Sequence, residues 1–256
     1  MRARIFDLDD HVALITGGNG GLGLAMAKGL VKAGAKVAIW GRNEEKNEAA
    51  TAELIAMGAS VEAFTSDVTD PASCAKAFAE TIARFGKIDS CFANAGGSGA
   101  RGAFHTLSTE DWRLSNDLNV TSVINTFKLA IGHWLERKAP GKLIVTSSIA
   151  GIIGIPGAAP YSTTKAAVQG LVRSLAIEYG RANIQTNAIL PGFIETEMSL
   201  DTPKHFQDSA KRRAASGEIG RLEDMEGIAV YLASKESRFM TGQCVILDGG
   251  HTIFPM

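Results

Sequence analysis

The feature that most limits how this chain can fold is a recurring mark: a glycine closes a long amphipathic stretch, and a short β-branched or aromatic run follows at once. It reads AGAKVAIW around Gly34, MGASVEAF around Gly58, FGKIDSCFA around Gly86 and YGRANIQTNAI around Gly180. A glycine just past a helix takes the left-handed turn at little steric cost, so each mark predicts a helix that stops and a strand that starts. The pattern predicts strands near 12–16, 36–40, 60–65, 88–93, 142–147, 184–189 and 243–247, with helices between them. Crossovers long enough to hold a helix join strands that run the same way. The expected fold class is therefore α/β, a single-domain doubly wound parallel sheet of about seven strands with helices on both faces. No Pro/Ser-rich linker and no internal repeat divides the 256 residues.

With 45% hydrophobic and 21% charged residues, the chain can bury a sizeable core. Its net charge is −1, with acids and bases interspersed, so no broad field draws it to a nucleic-acid backbone or an anionic membrane. The opening MRARIFDLDDH lacks the apolar core of a signal peptide, and the greasy stretch Ile149 to Pro160 is too short and too broken to span a bilayer. A cytoplasmic protein is expected. Cys74, Cys91 and Cys244 are odd in number and form no CxxC pair. They read as structural thiols, with neither a disulfide framework nor a metal site expected.

Ligands of such sheets bind outside the C-terminal strand ends, where the strand order reverses. The first strand-to-helix junction, VALITGGNGGLGLAMAKGL, carries a glycine turn suited to that task. Gly17 permits the tight turn, Gly21 lets backbone approach a pyrophosphate, and Gly23 lets the helix pack close to the sheet. The free N–H groups and positive dipole end of the helix then face the phosphates. A packing turn would also use such glycines. The triphosphate loop GxxxxGK[ST] is absent, which argues against a nucleotide triphosphatase.

TGGNGGLG at 16–23 resembles the TGxxxGxG fingerprint of the short-chain dehydrogenase/reductase family. The likeness continues in order through Asp67-Val68, Asn94-Ala95-Gly96, Asn119, Ser148, Tyr161-x-x-x-Lys165, Pro191-Gly192 and Asp248-Gly249-Gly250, and so covers almost the whole chain. It implies a Rossmann-like fold and an NAD(P)-dependent oxidoreductase that moves a hydride between nicotinamide and a secondary alcohol or ketone. It also implies a cofactor site at Gly17, Asn19, Gly21, Leu22, Gly23, Arg42, Asp67, Val68, Asn94, Ala95, Gly96, Tyr161, Lys165, Pro191, Gly192, Ile194 and Thr196. By the same likeness Asp67 holds the adenine edge, Asn94 shapes the sheet end and Thr196 meets the nicotinamide carboxamide. From the residues alone, Asp67 reads equally as a turn or helix cap, and Thr196 as a local turn. At the end of the second strand Gly41 stands where an NAD enzyme carries an acid, and Arg42 follows. A guanidinium can grip the extra phosphate, so NADP is favoured, with NAD as the alternative. Gly20 weighs against this, since related NADP enzymes often place a second basic residue there.

Alcohol oxidation must remove a hydroxyl proton, and carbonyl reduction must supply one. Tyr161 and Lys165 lie four residues apart in a helical stretch and share a face, so the ammonium is expected to lower the phenol from its ordinary value near 10. Ser148, at the end of the fifth strand, can hold the substrate oxygen; Ser147 competes by position but should point to the opposite side. In the family Lys165 also binds the nicotinamide ribose, and Asn119 holds a water that feeds protons to it; Asn116 is the nearby decoy. Ser162 to Lys165 fits the SxxK pattern of serine hydrolases, yet SDN, KTG and GxSxG are absent. A methyltransferase would also use the glycine turn but has no use for a Ser-Tyr-Lys set. A non-catalytic dinucleotide-binding redox sensor is the remaining alternative, against which the intact set argues.

Substrate choice is expected to rest on residues 193–216, with Phe193, Met198, Phe206 and Lys211-Arg212-Arg213, and on the loop after Gly96, with Arg101 and His105. The basic groups could suit an acid or be a solvated helix face. The family likeness implies a homotetramer or homodimer built through long helices near 108–136 and 159–180. The tail His251 to Met256 could join that interface.

Overall fold

The computed structural model describes residues 5–253. Seven parallel strands form one sheet: β1 (Val12–Thr16), β2 (Lys36–Gly41), β3 (Val61–Thr65), β4 (Ser90–Ala93), β5 (Gly141–Thr146), β6 (Ile184–Pro191) and β7 (Cys244–Leu247). Their order is β3-β2-β1-β4-β5-β6-β7, so the chain winds outward in one direction from β1, then returns to start the second half beside it. The expected strands are all present. β6 runs two residues further than read from the sequence, and β5 stops at Thr146, which leaves Ser147 and Ser148 beyond the strand.

The helices are α1 (Gly21–Lys32), α2 (Glu44–Ala56), α3 (Pro71–Phe85), α4 (Thr109–Asn116), α5 (Ser122–Arg137), α6 (Ala159–Tyr179), α7 (Glu197–Leu200), α8 (Lys204–Arg213) and α9 (Asp224–Ala233). Alternation along the strands makes the two cores. In β1, Ala13 and Ile15 face α1 and α9 through Met26, Leu30, Met225 and Leu232, whereas Leu14 faces α3, α5 and α6 through Phe78, Phe127, Trp134 and Val172. Covering both faces is what lets β1 be buried throughout. Cys74 and Cys91 lie fully buried in the second core and Cys244 packs against it; all three are free thiols.

Gly34, Gly58 and Gly86 take positive φ, as the punctuation requires. Gly180 does not: its φ is −57°, the chain continues through a 3-10 turn over Gly180–Ala182, and Asn183 takes the left-handed position at φ 58°. Asparagine tolerates that region because its short polar side chain bonds locally. The long helix expected near 108–136 is also interrupted, by a wide π turn over Asp117–Thr121 that carries Asn119. None of the described helices is long and apolar enough to cross a membrane.

Candidate active site

A cleft of about 660 Å³ opens at the C-terminal ends of β1, β4, β5 and β6, across the point where the strand order reverses. Its floor is the glycine turn. Gly17 and Gly21 sit at φ 63° and 48°, which a side chain would strain. A Cβ on Gly23 would lie 2.1 Å from the Gly17 carbonyl oxygen, so only glycine lets α1 start this close to the strand. The helix N-terminus has no side-chain cap and no acid in its first turn, and Gly20, Gly21 and Leu22 line the cleft. Those donors suit a pyrophosphate, and the dinucleotide therefore fits the residues present.

Asn94 holds three strand ends together. Its amide nitrogen donates to the carbonyls of Thr16 and Gly17 at 3.1 and 3.2 Å, and its amide oxygen accepts from Thr146 Oγ1 at 3.0 Å. The backbone N–H groups of Asn94 and Ala95 both donate to Thr16 Oγ1 at 3.0 Å. Thr16 and Thr146 escaped the sequence reading. Their signal was positional: each is the last residue of a strand that points at the ligand.

At the second-strand end, the space a Gly41 side chain would need is filled by Asn19 and Asn47, whose amides are bonded at 2.7 Å; a Cβ there would lie 2.2 Å from Asn19 Nδ2. No acid fits without moving both. Arg42 lines the cleft and makes a loose 3.9 Å pair with Asp67. Asp67 does not itself line the cleft, though Ser66 and Val68 do. Its Oδ1 accepts from Thr69 N and Oγ1 at 2.9 and 2.7 Å, the local turn that the residue type also allowed. Lys46 of α2 supplies the second basic group that Gly20 does not, and pairs with Glu197 at 2.8 Å. Thr196 lines the cleft while its hydroxyl caps α7 by accepting from Ser199 N at 3.1 Å. Pro191, Gly192 and Ile194 complete that wall.

The reacting groups meet where β5 ends. Lys165 is buried, and its Nζ donates to the Thr146 carbonyl at 2.9 Å and lies 5.7 Å from the Tyr161 ring centroid. Burial pulls its pKa down to about 8. The phenol is not lowered as expected: burial raises it, against opposing effects of the Ser148 hydroxyl and the Arg101 charge. The ammonium is turned to the Thr146 carbonyl rather than to the phenolic oxygen, which accounts for the difference. Ser147 points away from the cleft's reacting centre, donating to the Lys165 carbonyl at 2.9 Å and accepting from Gln169 at 3.2 Å. Ser148 is the serine left beside Tyr161. Asn119 is buried in the π turn; its amide exchanges bonds with Gly97 N and O at 3.0 and 3.1 Å and reaches Ser115 O at 3.2 Å. A Cβ on Gly96 would sit between Asn119 Oδ1 and Lys165 Nζ, at 2.8 and 3.5 Å.

Beyond Tyr161 the cleft is walled by Ile153, Ile155, Pro156, Phe193, Met198 and Phe206, with Arg101 and Arg213 at its rim. Not every group expected at this end reaches it. His105 is exposed on a 3-10 turn and does not line the cleft; Lys211 and Arg212 face a separate shallow depression with Asp208 and Gly217. His251, read as part of an assembly tail, also lines the cleft, where burial and the Arg213 charge lower its pKa. The rest of that tail, 254–256, lies outside the described residues.

A glycine cradle at the switch point of a parallel sheet, with a tyrosine, a serine and a buried lysine converging beside it, defines a nicotinamide-dinucleotide oxidoreductase. The family model described as enoyl-(acyl carrier protein) reductase matches residues 17–252. Gluconate 5-dehydrogenase of Gluconobacter oxydans (strain 621H) is 34% identical over 251 residues, 97% of each chain. The 3-oxoacyl-[acyl-carrier-protein] reductase FabG of Chlamydia muridarum (strain MoPn / Nigg) is 32% identical over 95% of this chain and 98% of its own. The crystal structure of a gluconate 5-dehydrogenase from Burkholderia cenocepacia J2315 in complex with NADP and tartrate superposes with a TM-score of 0.91 at 34% identity, covering 96% of this chain and 97% of that one. The chain belongs to the short-chain dehydrogenase/reductase family and is an NAD(P)-dependent oxidoreductase acting between alcohol and carbonyl.

Proposed function

We propose that this chain is an NADP(H)-preferring, cytoplasmic oxidoreductase of secondary alcohols and ketones, in which Tyr161 carries the proton. The observation that supports it most directly is the convergence of Tyr161, Ser148 and buried Lys165 beside the glycine cradle. The bound nicotinamide would take or supply the hydride. Tyr161 delivers a proton to the carbonyl oxygen in reduction and removes one from the hydroxyl in oxidation. Its raised pKa keeps the phenol protonated at neutral pH, which favours its service as the acid. Ser148 Oγ holds the same substrate oxygen and stabilises charge that gathers there. Lys165 brings a positive charge beside the ring and would hold the ribose of the dinucleotide. The Asn119 amide is spent on Gly97 and Ser115, so its part is to fix the loop after β4 and the π turn that face Lys165.

Gly41 leaves no room for an acid while Arg42 and Lys46 line the same end, which supports NADP. The NADP complex of the Burkholderia relative points the same way. The described residues act as one domain, with 193–216 as the substrate segment. Chains pair into a dimer or tetramer through α4, α5 and α6, whose Leu114, Leu135 and Ile177 are exposed. Steady-state assays with NADPH and NADH over a panel of ketones and secondary alcohols test the reading. Turnover with a lower KM for NADPH is expected, and Arg42→Ala should raise the NADPH value selectively, by roughly ten-fold or more. Cofactor binding without turnover on any member would favour the sensor instead.

A further inference from the structure

The cleft holds more positive charge than a dinucleotide needs. Among the described residues its lining includes Arg42, Lys46, Arg101, Lys165 and Arg213, but only one carboxylate, Glu197. That carboxylate is already paired with Lys46 at 2.8 Å. Arg42 stands with Lys46 at the ribose end, and Lys165 is bonded to the Thr146 carbonyl beneath Tyr161. Arg101 and Arg213 remain. Among the described residues neither has a side-chain hydrogen bond or an ion pair, and both line the end of the cleft beyond the reacting groups.

They reach it from separate elements. Arg101 lies on the loop after β4, and Arg213 closes α8 in the segment after β6, so they flank β5 and the groups at its end. The Arg101 charge is felt at the Tyr161 phenol and the Arg213 charge at His251, which lines the same end. Between them lie apolar side chains, among them Ile153, Pro156, Met198 and Phe206. Both arginines are exposed at the rim, so a neutral substrate would leave their charges to water. An anionic one would meet two guanidinium forks and an imidazole.

We propose that the substrate of this enzyme carries a carboxylate, held by Arg101 and Arg213 on the side of the reacting carbon away from the dinucleotide. His251 adds a hydrogen bond to the same group, and the apolar wall accepts the carbon chain between carboxylate and carbonyl. The proposal rests on the Tyr161-centred reading above. It goes further by naming the chemical class of the substrate.

Matched probes test it: 4-oxopentanoate against 4-oxopentanamide, and 5-oxohexanoate against 5-oxohexanamide, with NADPH, in wild type, Arg101→Gln, Arg213→Gln and the double variant. Each pair has the same reacting carbonyl and differs in the charge. The acid is expected to be preferred in kcat/KM by roughly ten- to a hundred-fold, mostly through KM, because charge-assisted bonds contribute at that level. Each single variant should shrink the acid-to-amide ratio, and the double variant should bring it close to one. Thermal melts of the variants report whether they are folded, and the ratio is read within each folded variant. Equal use of acid and amide by wild type, or a preference that survives in the double variant, overturns the carboxylate assignment while the oxidoreductase reading stands. Failure to turn over any acid, amide or neutral ketone strikes the Tyr161 reading itself, and this inference falls with it.

Discussion

Lys165 carries a cost of burial that its proposed role accounts for. Its ordinary pKa of 10.5 falls to about 8 through burial, so the folded chain binds fewer protons than the unfolded one between those values, and stability rises with pH across that window. At neutral pH the charged amine therefore costs on the order of 3 kcal/mol. Lys165→Met should lose at least a hundred-fold in kcat yet melt no lower than wild type at pH 7, and its margin over wild type should narrow towards pH 10. A lower melting temperature at pH 7 would mean that the bond to Thr146 outweighs the burial cost. Ser148→Ala should lower kcat by about 10²–10³-fold while leaving NADPH affinity within a few-fold, as expected for a donor that acts on developing charge. At this scale the gathering of Ser148, Tyr161 and Lys165 at one end of β5 could be read from the chain because their spacing places them there. The phenol's raised pKa could not, because it depends on where Nζ turns, and the Thr146 carbonyl that takes it is set by how β5 meets α6. His251 was missed for a similar reason: nothing in its neighbours in sequence shows that the chain turns back over the cleft.

The element that most depends on a single residue is the β1–α1 junction. In Gly23→Ala the new Cβ would meet the Gly17 carbonyl at 2.1 Å and Asn94 Nδ2 at 2.6 Å, so the turn must open and the stitching of β1 to β4 must loosen. The expected outcome is a fall in melting temperature and at least a ten-fold weaker NADPH affinity, read by fluorescence titration. At the other end of the same strand, the half-buried His11 ring bonds Ser90 at 2.8 Å and its pKa drops from 6.5 to about 4 through burial, against the pull of Asp89. The unfolded chain takes up that proton first, so stability falls as pH drops from about 6.5 to 4, and His11→Asn should flatten that part of the stability profile. Helix stops were legible where a glycine takes the left-handed turn. The α-helix also stops at Gly180 as read, but the left-handed residue is Asn183, one 3-10 turn later, and the π turn at Asn119 was invisible because its residues read as one continuous helix.

For the whole molecule, β-α alternation fixed the parallel sheet and the switch point, and hence where the motifs had to gather. What alternation does not carry is the substrate end. Its walls come from 97–101, 153–156, 193–213 and His251, segments far apart in sequence that meet only once the sheet is built. Assembly belongs to this scale too. Ile177→Asp replaces the exposed isoleucine of α6 with a charge and should shift the size-exclusion profile towards smaller species; an unchanged profile would exclude that position from the interface.

Everything proposed for this enzyme turns on the Tyr161 oxygen moving the proton. Single-turnover oxidation of NADPH by a ketone substrate in Tyr161→Phe, with NADPH affinity measured on the same sample, tests it most directly. A loss of at least about 10³-fold in the rate is expected, with affinity kept within a few-fold. A variant that still transfers hydride at close to the wild-type rate would contradict it.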